Sequence, residues 1–187
     1  MLQSSEKGRD NIVSKVPGKR IALGIDPGTA IVGYAVVAAQ GDKLNMLVCD
    51  VITTPARMPL SERLQHIYQG LSEVITTYHP TEAAMEELFF AKNARTAMTV
   101  GQARGVAMLA LANAGLSISE YTPLQVKQAV TGYGSAKKEQ VGEMVRILLQ
   151  LTSIPRPDDA ADAAAVAICH LNTAQYVTIQ ESTLRLG

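Results

Sequence analysis

The chain has 187 residues, 47% of them hydrophobic, with 17 basic and 17 acidic residues and so no net charge. That length suits one compact domain with a full core, and no stretch approaches the ~20 apolar residues of a membrane span. The opening, MLQSSEKGRDNIVSKVPGKR, lacks the apolar centre of a secretory signal.

Residues 1–19 read as a disordered tail, with few apolar residues and scattered charge. From Arg20 the runs RIALGID, IVGYAVVAA and LNMLVCDVI, separated by PGT and QGDK, predict three antiparallel strands in a meander. Leu60, Leu64, Ile67, Leu71, Val74 and Tyr78 then step by four and three, the stripe of an amphipathic helix that Pro80 ends. EAAMEEL predicts a short buried strand. ARTAMTVGQARGVAMLALANAG predicts a long helix whose Gly101 and Gly105 permit close approach by another backbone. LSISEY predicts a fifth strand. Thr122-Pro123 is a good cap and first-turn pair for the next helix. KKEQVGEMVRILLQL and RPDDAADAAAVAICH predict two more helices. The fold class is α/β: a five-stranded mixed sheet, a three-strand meander plus two further strands, flanked by helices. The domain is placed at 20–174, with 175–187 as a C-terminal tail. Cys49 and Cys169 lie in apolar contexts, which suggests buried free thiols, a reducing compartment and a cytoplasmic location.

Several acids sit where chemistry could use them. Asp26 ends the first strand, before a turn that Gly28 keeps open to backbone or phosphate; the plain alternative is a local cap. Glu86 lies at the end of the fourth strand, either facing solvent or standing beside Asp26 if the two strands are neighbours. Two such carboxylates would repel, and a hard divalent cation would relieve that. Asp158, Asp159 and Asp162 open an otherwise small, apolar helix. Asp158 is placed to cap it, while Asp159 and Asp162 share one face. Between Lys92 and Lys138 there are six basic residues and one acid, a weak pointer to phosphate binding.

Four motifs, LGIDPGTAIVGYAVV, MEELFFAKNARTAMTVGQARGVAML, VKQAVTGYGSAKKEQV and DDAADAAAVAI, closely resemble the RuvC family of Holliday junction resolvases. The likeness runs from about Ile21 to His170 in the expected order. It implies an RNase H-like fold, a homodimer, and symmetrical cleavage of two strands of like polarity in four-way DNA junctions, leaving 5′-phosphate and 3′-hydroxyl ends. It implies catalytic, metal-holding acids at Asp26, Glu86, Asp159 and Asp162. The expected cofactor is magnesium, two ions per site, with manganese as a substitute. By the same likeness Phe89 would meet unpaired bases, its alternative being a core residue, and Lys127 and Lys138 would lie near the scissile phosphate. RuvA and RuvB would be partners. The tail 1–19 departs from the family pattern.

Three rivals stand beside this reading. A sugar-kinase or chaperone-type ATPase shares the first glycine turn but needs a second lobe, for which there is no room. A junction-binding protein without catalysis would not need all four acids. A related nuclease acting on RNA–DNA hybrids or flaps shares the acids and differs only in substrate.

Overall fold

The computed structural model describes residues 19–87 and 94–184. Its first elements are the expected meander: β1 (Arg20–Asp26), β2 (Ile31–Gln40) and β3 (Lys43–Thr53). Gly41 makes the β2–β3 turn at φ 58°, a left-handed conformation that glycine adopts without a Cβ clash. α1 (Leu60–Tyr78) buries Ile67, Leu71 and Val74 of the predicted stripe. It closes on His79 in the left-handed region, whose N–H reaches the Ile75 carbonyl, and Pro80 bars further helix.

β4 (Glu82–Glu86), α2 (Ala94–Asn113), β5 (Ser117–Tyr121), α3 (Pro123–Thr131), α4 (Lys138–Leu148) and α5 (Asp158–Leu184) complete the order. Thr122 starts α3 with a capping box: its hydroxyl accepts from the Gln125 N–H, and the Gln125 side chain accepts from the Thr122 N–H at 2.8 Å. α5 holds no glycine or proline, so nothing in it stops the helix at 174. It runs on to Leu184, through much of the stretch that the sequence suggested was a C-terminal tail.

Among the described residues the strands form one sheet in the order β3-β2-β1-β4-β5. The meander is antiparallel, and β4 and β5 are added parallel to β1. Side chains alternate across this sheet. On one face Leu23, Ile25, Val36, Ala83 and Met85 pack against α1 and α2. On the other, Ala22, Ala35 and Ala84 meet α5, with α3 and α4 behind it. This second face is built from small residues, and α5 answers with Ala160, Ala163, Ala164 and Ala167, all fully buried.

Small-on-small packing lets backbone approach backbone. A Cβ on Gly24 would stand 2.2 Å from the Ala163 carbonyl oxygen, and one on Gly33 1.9 Å from that of Asp159. The far end of the contact is tied by charge. Arg20 grips Glu82 with two 2.8 Å bonds and donates to the Leu171 carbonyl, and His170 bridges Glu82 and Tyr121, at 2.9 Å each. Burial pushes the Glu82 carboxyl up, yet the His170 and Arg20 contacts outweigh it and hold it at about 2. Both cysteines are free thiols, Cys169 buried and Cys49 half-buried. Burial lifts them to about 11 and about 12, so neither is a ready thiolate.

Candidate active site

The parallel pairing of β1 and β4 sets Ile25 opposite Met85. The next residue on each strand is an acid, so Asp26 and Glu86 end side by side at one edge of the sheet. Alternation turns both toward α5, on the same face as Gly24 and Ala84. The first turn of α5 is pressed onto this edge at Gly33, the sheet partner of Asp26, and the Cys49 thiol donates to the Ala160 carbonyl at 3.1 Å. Asp159 and Asp162 thereby join the two strand acids. At Gly28 the close approach is by backbone: an added Cβ would lie 2.0 Å from the Ile31 carbonyl oxygen.

The electrostatics record this crowding. The Asp26 carboxyl is raised from an ordinary 3.8 to about 7, first by burial, then by the negative charge of Glu86, Asp162 and Asp159, with Lys138 opposing. Glu86 is raised by burial and by Asp162, with Lys127 and Lys138 opposing. Glu86, Asp162, Lys127 and Lys138 line one cavity of about 230 Å³, walled by Pro123 and Val126 of α3. Six of the seven residues singled out from the sequence therefore share one end of the molecule. Phe89 lies outside the described residues.

Among the described residues no three His, Cys, Asp or Glu side chains close around one point tightly enough to hold a metal ion. Lys138 engages one of these acids: its ammonium lies 2.9 Å from Asp162. The donor set itself fits a hard cation. Every candidate ligand is a carboxylate oxygen, and a divalent ion offsets both the burial and the repulsion that raise Asp26.

Asp158 differs from the expected cap. It is the first residue of α5, and the Pro157 carbonyl accepts the early N–H groups of Ala160 and Ala161, at 3.0 and 3.4 Å. Its carboxylate instead pairs with Arg156 and, at 3.5 Å, with Lys138. Two cations within reach outcompete a backbone amide. Arg156, two residues upstream, was a visible signal; Lys138, twenty residues away, was not.

The family model described as crossover junction endodeoxyribonuclease RuvC matches residues 22–170. A curated protein of that name from Chloroflexus aurantiacus is 59% identical over 153 residues, spanning 82% of this chain and 93% of the relative. The solved Thermus thermophilus RuvC superposes with a TM-score of 0.79 at 39% identity, over 84% of this chain and 97% of that one. The same protein in complex with a Holliday junction substrate gives 0.78 at 37% identity, over 83% and 96%. These likenesses bear out the RNase H-like sheet, and they rest on the same stretch that carries the four acids. The chain belongs to the RuvC family of crossover junction endodeoxyribonucleases.

Proposed function

We propose that this protein resolves four-way DNA junctions in recombination and repair. It cuts two strands of like polarity symmetrically and leaves 5′-phosphate and 3′-hydroxyl ends. One observation carries the reading: Asp26 and Glu86 end neighbouring strands beside Asp159 and Asp162, in a chain of this family. Asp26, Glu86, Asp159 and Asp162 are the groups that would hold magnesium, with manganese as a substitute and two ions per site. Such ions lower the pKa of a bound water and neutralise charge on the phosphate.

The chain's own residues do the rest. Asp26 and Glu86, at fixed strand ends, orient the water; a site mounted on strands is held more rigidly than one on a loop. Lys127 and Lys138 present positive charge to the scissile phosphate, where charge builds in the transition state. Phe89 stacks on an unpaired base at the junction centre, a contact worth ~1–3 kcal/mol. Specificity comes mainly from junction shape and openness. RuvA and RuvB are the partners proposed for branch migration, and the cytoplasm is the proposed location. Among the described residues no helix is long and apolar enough to cross a membrane.

A cleavage panel tests the reading. With magnesium, a four-way junction should give paired, symmetrically placed nicks, while an RNA–DNA hybrid and a simple flap stay intact. Preferential cutting of the hybrid would assign the chain another substrate.

The homodimer is proposed to form through α2. Met98 and Leu109 on it are 69% and 52% exposed, and the space over Gly101 and Gly105 is open. Leu109→Glu should shift the sedimenting species from dimer to monomer. An unchanged dimer would place the interface elsewhere.

A further inference from the structure

We infer that Lys138 is an internal counter-ion that a divalent cation displaces from Asp162, and that Asp158 is the carboxylate that receives it. The inference rests on the proposal that Asp162 is a metal ligand. Lys138 stands between two aspartates of α5, 2.9 Å from Asp162 and 3.5 Å from Asp158. These aspartates are four residues apart, one above the other on one helix face. Only one of them adds its charge to Asp26; Asp158 does not figure there. The ammonium is thus shared between a carboxylate that belongs to the strand-end cluster and one that lies outside it.

The geometry makes the exchange a small side-chain swing. Lys138 is the first residue of α4, so its backbone is already fixed. Its side chain is 55% exposed, and those of Asp158 and Asp162 are 50% and 35% exposed. Ion pairs this wet are weak and exchangeable. Asp158 is already placed for this: one oxygen, Oδ1, takes Arg156, and the other, Oδ2, faces Lys138. A dication arriving at Asp162 would repel the ammonium, and Asp158 is the acceptor already beside it. Lys138 then stays at the mouth of the site, where a phosphate would enter. Asp158 acts through Lys138 and is a positioning residue.

The inference predicts a pattern in cation affinity that needs no DNA and no turnover. Manganese is titrated calorimetrically into the full chain. Lys138→Met should tighten binding roughly tenfold, since the competitor is gone. Asp158→Asn should weaken it roughly threefold, because Lys138 then has only Asp162 to hold. Combined with Lys138→Met, the same Asp158→Asn change should matter by at most about 1.5-fold, a coupling that a double-mutant cycle reads directly. An equal effect of Asp158→Asn in both backgrounds would make Asp158 a plain negative charge and overturn the inference. A different failure is also distinguishable. If the unaltered chain takes up no manganese, or if Asp26→Asn leaves its uptake unchanged, the metal-site reading itself falls and this inference with it.

Discussion

Asp26→Asn should lower junction cleavage by about three orders of magnitude, the scale on which single charge-stabilising groups act in such sites. Binding of the junction should persist, because the substitution removes negative charge from a surface that meets phosphate. The same change should stabilise the cation-free protein. The Asp26 carboxyl stands at about 7 in the fold against 3.8 ordinarily. Between those values the folded chain keeps a proton that the unfolded chain has lost. This group's contribution to stability is therefore greatest below about pH 4, falls as the pH climbs to about 7, and is flat above. Asparagine escapes that loss. In EDTA at pH 8 the variant should melt roughly 2–8 °C higher, a shift typical of one or two kcal/mol at this chain length. The gap should narrow toward pH 4, and added magnesium should raise the unaltered protein more than the variant. Normal cutting by Asp26→Asn, or a lower melting point in EDTA at pH 8, would contradict the assignment.

Gly33→Ala should cost both fold and function. Its new Cβ would lie 1.9 Å from the Asp159 carbonyl oxygen and 2.5 Å from the carbonyl carbon. Both atoms are backbone in the first turn of α5, so no side chain can swing aside. Either the helix lifts or β2 bends, and overpacking of this kind costs about 3 kcal/mol or more. Lifting α5 also carries Asp159 and Asp162 away from Asp26. Urea unfolding should show the loss of stability, and the fraction that remains folded at low temperature should cut junctions poorly. A variant within ~0.5 kcal/mol of the parent would mean that α5 sits less tightly on the sheet than described.

Much of this was legible in the sequence because local signals agreed with the final packing. The meander followed from apolar runs separated by glycine-containing turns. α1 followed from its stripe, and α3 from Thr122-Pro123. The meeting of Asp26 with Glu86 required only that their strands be neighbours, which the parallel pairing supplies. What stayed hidden depends on distant partners. The Arg20–Glu82–His170 cluster joins residues more than sixty positions apart, and no spacing rule announces it. Asp158 looked like a cap because capping is the local role for an acid there, and tertiary cations overrode it. Gly24 and Gly33 lie inside strand runs, where no local signal marks them. Their need appears only once α5 is laid across them. α5 runs on past 174 to Leu184 because nothing in that stretch of sequence breaks the helix.

The placement of α5 also bears on the order in which the chain is made. A newly synthesised chain can pair β1 with β2 and β2 with β3, and later β1 with β4, long before Asp159 has been added. At that stage the sheet carries only Asp26 and Glu86 of the four proposed ligands, two repelling acids with their α5 face uncovered. The same helix that buries the alanine face also delivers the last two carboxylates. On the proposed site, a nascent chain holds no complete ligand set, and the capacity to cut DNA arrives in one step with the closing of the core.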